Sequence, residues 1–181
     1  MTKLPAKQFT VWRVPVEDSD AAWRIIEEYY EAVGVIARDA KDDFARIYFC
    51  DGAGVWLASV GNSAVGCIAL RPLAIIAHGG EVKRLYVRSR YRGRGIAAAL
   101  YRALEQYARE CSYKWLYLDT TEEMIAAQRF YAALGYEPTS RYNDNSQATI
   151  FMRKDLRSSS GETPVLSQYS AFTQKPCIQF L

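Results

Sequence analysis

The sequence is poor in the residues that build metal sites. It has one histidine, His78, and four cysteines that lie far apart, so no CxxC pair or comparable ligand spacing is present. We therefore predict no metal. Scattered cysteines of this kind are typical of reduced thiols in a reducing compartment, and the expected location is the cytoplasm.

Long apolar segments are also missing, since runs such as Ala74–Ala77 are far shorter than the roughly 20 residues that span a bilayer. No apolar block follows Met1–Pro5, so no signal peptide is expected. The chain has 181 residues, half of them hydrophobic, which suits one domain with a buried core. We predict this domain over residues 1–157. A tail over 158–181 has no clear period and is expected to be flexible or to pack on a partner.

Hydrophobic periodicity predicts strands first, and then strands that alternate with helices. The predicted strands are Phe9–Val16, Val55–Val60, Ala64–Leu70, Glu81–Val87, Trp115–Asp119 and Thr149–Met152, and the predicted helices cover about 20–37, about 95–110 and the segment from Ala127 to Leu134. This order describes an α/β or α+β domain with a mixed sheet.

Positive charge is concentrated in one segment. Residues 81–114 hold nine basic and three acidic side chains, whereas the whole chain has a net charge of +3. Within this segment, Val82–Arg94 holds six basic residues and no acid. Such a run attracts nucleic acid, membrane head groups or a phosphorylated cofactor, unless it is only a solvated basic face.

The segment Glu81–Ala98 combines these charges with a turn suited to phosphate. A predicted strand leads through arginines to Gly93 and Gly95, and a helix begins there. Glycines let backbone N–H groups approach a ligand, and a helix N-terminus adds unpaired donors, although a plain strand-to-helix turn has the same glycines. Gly93–Ala98 formally fits the dinucleotide pattern G-x-G-x-x-G/A, but five residues separate it from Val87.

A closer match begins at Arg90. Residues Arg90–Gly95 read RYRGRG and resemble R/Q-x-x-G-x-G/A, the coenzyme A motif of the GNAT acyltransferase superfamily. KRLYV at 83–87 resembles the strand before that motif, and FYAALGYE at 130–137 resembles the FYxxLGF/Y helix end. The resemblance extends over Phe9–Leu156 and is nearest to bacterial small-molecule or generic N-acetyltransferases. One departure is Met124, which stands where the family often has an asparagine that contacts pantetheine.

The resemblance implies a GNAT-type fold, in which a mixed, mostly antiparallel sheet contains a splayed parallel strand pair and is flanked by helices. It also implies acetyl-CoA as cosubstrate. The implied coenzyme-binding residues are Leu85, Tyr86, Val87, Arg90, Arg92, Gly93, Arg94, Gly95, Ile96 and Ala97. The backbone of residues 85–87 would pair with the pantetheine arm, and the amides from Arg92 to Ile96 would surround the pyrophosphate.

The activity implied is an N-acetyltransferase that moves an acetyl group to a primary amine of a small molecule or peptide by direct attack in a ternary complex. Glu81 matches the position of the base, and Tyr131 matches the tyrosine that protonates the departing thiolate. Two structural alternatives stand beside these roles. Glu81 could be a strand-end glutamate paired with Lys83 or Arg84, and Tyr131 could be a core tyrosine. Asp119 could touch the acceptor or cap the next helix.

Two other functions are weighed against this one. The alternative is a GNAT-like module that binds acyl-CoA as a sensor without turnover. A nucleic-acid-binding protein is disfavoured because no recognition helix or RNP-type pattern accompanies the arginines. We expect an amine acceptor as partner, with no nucleic acid and no membrane, and a homodimer is left open.

Overall fold

The computed structural model describes residues 9–36 and 38–157. The strands are β1 (Thr10–Arg13), β2 (Gly54–Val60), β3 (Ser63–Pro72), β4 (Gly79–Val87), β5 (Trp115–Thr120), β6 (Glu137–Pro138) and β7 (Ile150–Asp155). The α-helices are α1 (Ser19–Val33), α2 (Lys41–Tyr48), α3 (Ile96–Glu110) and α4 (Ile125–Ala133).

The strands form one sheet in the order β1-β2-β3-β4-β5-β7-β6. Neighbouring strands are antiparallel everywhere except between β4 and β5, which run parallel. The predicted mixed, mostly antiparallel sheet with one parallel pair is thereby confirmed. Helix α3 supplies the crossover between the two parallel strands, as a connection of this kind requires.

Two apolar layers cover the two faces of the sheet. On one face, α3 contributes Ile96, Leu100 and Leu104 to a core that also includes Tyr131 of α4. On the other face, α1 and α2 bury a mixed aliphatic and aromatic cluster that includes Tyr30, Phe44 and Tyr48. The sheet is therefore covered on both sides, and the gap between β4 and β5 is where the two sides can meet.

Several element boundaries differ from the predictions. The first strand ends at Arg13, and the helix predicted to reach residue 37 ends at Val33. It ends there because Gly34 adopts φ +71°, and the amides of Gly34 and Val35 both donate to the Tyr30 carbonyl. Helix α2 was not predicted, and the last strand runs on to Asp155. The predicted tail over 158–181 lies outside the described residues.

The packing of α3 leads to a stability prediction. Leu100 is fully buried, so Leu100→Ala should lower the free energy of unfolding by about 2–5 kcal/mol because a cavity remains. Arg102→Ala, on the exposed side of the same helix, should change it by less than about 0.5 kcal/mol. Urea denaturation measures both values, and equal losses for the two variants would contradict this assignment of the core.

Candidate functional site

The site is built where β4 and β5 part. Their parallel pairing covers Gly79–Glu81 against Trp115–Tyr117 and then stops, although β4 continues to Val87 and β5 to Thr120. The next side chains on the same face are Lys83 and Asp119, whose Nζ and Oδ1 atoms are 2.9 Å apart. An ion pair therefore stands where the backbone ladder ends, and within residues 9–36 and 38–157 no strand pairs with this edge of β4 beyond it.

A bulge in β4 lies directly after this point. The register against β3 shifts between Cys67 and Ala69, so that β4 has one residue more than its partner. Arg84 takes up the irregularity with φ +61°, a conformation that is uncommon for a residue other than glycine. Its guanidinium donates to Asp39 Oδ2 at 2.7 Å and lies over the Tyr30 ring. The bulge precedes Leu85, Tyr86 and Val87, the residues predicted to face the pantetheine arm.

The arginine-rich turn has the predicted strand-to-helix form. Gly93 and Gly95 adopt φ +72° and +78°, and Gly95 caps the start of α3. A Cβ atom built on either glycine would meet nothing within 4 Å, so the backbone there is open to a ligand. Among the described residues, the amides of Gly93, Arg94, Gly95 and Ile96 have no hydrogen-bond acceptor, whereas the Arg92 amide donates to the Ser89 carbonyl at 3.2 Å.

The side chains around this turn contact one another and the end of β4. Arg90 and Arg94 lie over the Tyr91 ring, at 4.8 and 5.3 Å from its centroid. Arg92 is exposed and donates through Nε to the Val87 carbonyl at 2.9 Å. A cavity of about 240 Å³ opens beside the turn, lined by Val87, Tyr91, Arg92, Gly93, Gly95, Ile96, Ala97, Ala98 and Phe130. The cavity joins the unpaired amides to an apolar wall at the start of α3.

Glu81 is completely buried and heavily hydrogen bonded. Its Oε2 atom lies 2.7 Å from Arg71 Nε and 2.6 Å from Arg71 Nη2. Its Oε1 atom lies 2.9 Å from Lys83 Nζ, and it accepts from Tyr142 and Asn143, each at 3.0 Å. The predicted pairing with Lys83 is present, whereas Arg84 pairs with Asp39 instead. Glu81 is thus an ionic junction between β3, β4 and the loop that precedes β7.

Asp119 forms the second half of this polar network. Besides Lys83, its carboxylate accepts from the side-chain amides of Asn143 and Asn145, at 2.7 and 3.1 Å. Burial by itself would raise the pKa of Asp119, but the Lys83 ammonium and the two amides outweigh it and hold the pKa below its ordinary value. Asp119 is therefore ionised at neutral pH and ties the loop before β7 to the end of β5.

Tyr131 lies in the core on the α3 face of the sheet. It is 6% exposed, and its ring packs at an angle against Phe130 and Tyr136, with centroids 5.3 Å away in each case. Its hydroxyl has no hydrogen-bond partner among the described residues. Burial raises its pKa, and the Tyr29 phenol and the Asp119 carboxylate raise it further. Tyr29 and Asp119 belong to the α1 side of the sheet. The Tyr131 hydroxyl therefore interacts electrostatically with groups across the gap between β4 and β5.

Sequence reasoning did not place several residues in this site, namely Arg71, Asp39, Asn143 and Asn145. Each is brought in by tertiary contacts. One signal was available for the asparagines, because the polar segment from Tyr142 to Asn145 stands beside the last predicted strand. The arginine-rich turn, by contrast, is assembled from residues that are neighbours in the chain.

Comparison with protein families gives one assignment. The model of the acetyltransferase (GNAT) family matches residues 19–136. N-acetyltransferase 8B of Rattus norvegicus is 34% identical over 104 residues, which make up 55% of this chain and 47% of the rat protein. The chain spans about half the length of such mammalian relatives.

Solved structures share the fold. A GNAT-family acetyltransferase from Staphylococcus aureus superposes with a TM-score of 0.70 at 20% identity, covering 82% of this chain and 99% of that one. The PaiA N-acetyltransferase from Thermoplasma acidophilum, in complex with coenzyme A, gives a TM-score of 0.60 at 15% identity, with coverages of 82% and 99%. At these identities the similarity concerns the fold.

Two further observations concern the described residues only. No helix among them combines the length and apolar character needed to cross a membrane. No three histidine, cysteine or acidic side chains within 9–36 and 38–157 are grouped so that they could hold a metal ion.

The lowered pKa of Asp119 leads to a pH prediction. Its contribution to stability is fully present above the ordinary pKa of 3.8 and is lost as the pH falls through the lowered folded-state value. Asp119→Asn should therefore be less stable than the parent at about pH 7, and the difference should narrow at about pH 3. Urea denaturation at both pH values provides the measurement. Asp144→Asn, an exposed change in the same loop, is the control, and a pH-independent difference for Asp119→Asn would contradict the prediction.

Proposed function

The chain belongs to the GNAT acetyltransferase family, and on that premise we propose that it transfers the acetyl group of acetyl-CoA to a primary amine of a small molecule or peptide. The reaction is a direct attack of the amine in a ternary complex. The observation that carries the proposal is the parting of β4 from β5 beside a turn with four unpaired amides. This arrangement offers backbone groups to an extended acyl carrier and amide donors to its pyrophosphate.

The residues of the turn fit the phosphorylated end of coenzyme A. The amides of Gly93, Arg94, Gly95 and Ile96 are unpaired among the described residues, and they stand at the N-terminus of α3, where the helix dipole favours an anion. Arg90, Arg92 and Arg94 are exposed around them and add positive charge. The cavity beside Ala97 provides the apolar wall on which the pantetheine arm leaves the turn.

The proton movements are assigned to two residues. Acetyl-CoA supplies an activated acetyl group and a thiolate leaving group. We propose that Glu81 receives the proton of the acceptor ammonium and that Tyr131 donates its phenol proton to the departing sulfur. The Tyr131 hydroxyl can serve as this donor because a phenol is protonated at neutral pH and no described residue hydrogen-bonds to it. A backbone amide of β4 aimed at the acetyl oxygen would stabilise the charge that develops there.

A screen for acceptor amines tests the proposed function. Alkyl amines, amino acids, polyamines and peptides are each incubated with acetyl-CoA, and thiol release is followed together with acetylated product by mass spectrometry. Product that depends on both substrates supports the proposal. Tight acetyl-CoA binding without transfer to any amine would instead support the acyl-CoA sensor.

The coenzyme turn is tested by Gly93→Glu. This change places a side chain and a negative charge where the pyrophosphate is proposed to lie, so calorimetry should show coenzyme A affinity largely lost. Gly61→Glu is the matched control, because Gly61 has φ +58°, an equally open surrounding and a position in the β2–β3 hairpin. Both variants place the same negatively charged side chain at a positive φ in open surroundings. Unchanged affinity for Gly93→Glu, or equal losses in both, would contradict the site.

The role of Tyr131 is tested by Tyr131→Phe, which keeps the ring and removes the hydroxyl. If the phenol is the proton donor, kcat should fall roughly 10²–10⁴-fold while coenzyme A affinity stays near that of the parent. Tyr136→Phe is the control, since Tyr136 packs against Tyr131 and its hydroxyl bonds only to Tyr101 among the described residues. A kcat for Tyr131→Phe within a few-fold of the parent would leave Tyr131 as a core residue.

A further inference from the structure

Glu81 has no surface through which an acceptor amine could reach it. Its exposed fraction is 0%, and five donor contacts within 3.0 Å surround its two oxygens. A carboxylate offers about four lone-pair sites, so all of them are in use. If Glu81 takes the proton of the acceptor, that proton must arrive through one of the groups already bound to the carboxylate.

The chemistry of those groups selects one of them. The guanidinium of Arg71, the ammonium of Lys83 and the amide nitrogen of Asn143 are donors with no lone pair that could accept a proton. The Tyr142 phenol both donates and accepts, and its hydroxyl is 3.0 Å from Glu81 Oε1. We propose that Tyr142 is a catalytic residue that relays the acceptor's proton to Glu81. This inference rests on the proposed function.

The Tyr142 hydroxyl is held rigidly for this task. Its ring packs at steep angles against Tyr117 and Phe151, with centroids 5.2 and 5.6 Å away. The following asparagines, Asn143 and Asn145, fix the loop to Asp119. Tyr117 is also the last residue of β5 paired with β4, opposite Glu81. The relay therefore stands at the point where the strands begin to part, and Tyr142 is only partly buried.

The protonation state of Tyr142 agrees with this direction of transfer. Burial raises its pKa, and the nearby Glu81 and Asp119 carboxylates raise it further. The phenol is therefore neutral and directs its proton to Glu81, which leaves an oxygen lone pair for the acceptor. Proton transfer through the Tyr142 hydroxyl is concerted: its oxygen receives a proton from the acceptor as its own proton moves to Glu81. No phenolate has to form.

The protons balance as follows. The acceptor ammonium gives one proton to the Tyr142 oxygen while the Tyr142 proton moves to Glu81, and the neutral amine attacks the acetyl carbonyl carbon. The C–N bond forms, the C–S bond breaks, and sulfur takes a proton from Tyr131. The nitrogen loses its second proton to solvent, Glu81 releases its proton to solvent, and Tyr131 regains one. The net result is amide, free thiol and one proton.

The test uses two acceptors that differ in basicity: the alkyl amine with the highest turnover in the screen, and the matching alkoxyamine, whose nitrogen is already neutral at neutral pH. For the alkyl amine, Tyr142→Phe should lower kcat/KM about 100-fold or more, since proton removal is lost. For the alkoxyamine, the loss should shrink to a few-fold. A residue that only supports the structure would reduce both rates equally.

A double variant provides the second comparison. Because Tyr142 and Glu81 act in one path, Glu81→Gln combined with Tyr142→Phe should be no slower than Glu81→Gln alone. Calorimetry with coenzyme A should show parent-like affinity for Tyr142→Phe. Tyr113→Phe is the control, because its hydroxyl makes an equivalent bond to the Gly52 carbonyl at 2.9 Å, away from the site.

The outcomes separate the relay from the function it depends on. Equal losses with both acceptors, or effects of Tyr142 and Glu81 that multiply, overturn the relay while acetyl transfer stands. A parent that acetylates no amine overturns the proposed function, and the relay with it. A kcat/KM for Tyr142→Phe that matches that of Tyr113→Phe also overturns the relay.

Discussion

The parting of β4 from β5 is the feature on which the rest of the site depends. A parallel pair that continued past Glu81 and Tyr117 would use the backbone groups of both strands and close the sheet. Instead, Lys83 and Asp119 meet at the next position as an ion pair, and the loop before β7 is bonded to the same carboxylate. Side chains thus replace the ladder at the place where the two parallel strands part.

The two faces of the sheet then carry different chemistry. The α3 side carries the arginine-rich turn and the apolar core around Tyr131. The α1 side carries a row of ion pairs on β3, β4 and β5. Buried ion pairs of this kind are costly to desolvate and are tolerated when every partner is satisfied. Glu81 meets that condition with five donor contacts. Its burial is the reason that a proton could reach it only through a neighbour.

The parts of this protein that could be predicted from sequence are those made by residues close together in the chain. The turn from Arg90 to Gly95 requires positive φ at its glycines and a helix start directly after it, and both are local properties. The contacts of Glu81 could not be found in this way, because Tyr142 and Asn143 lie about 60 positions away. The KRLYV strand likewise gives no sign that Arg84 breaks its alternation with a positive φ.

The arginine-rich segment also has a more specific meaning in three dimensions than its charge suggests. Of its six cations, Lys83 pairs with Glu81 and Asp119, Arg84 with Asp39, and Arg88 with Glu28. These three tie β4 and the residue after it to their neighbours, and each has a carboxylate partner that neutralises its charge. The exposed cations are Arg90, Arg92 and Arg94, grouped around the unpaired amides at the start of α3. A nucleic acid would require charge spread along a surface, whereas charge confined to one helix N-terminus matches a single phosphorylated ligand.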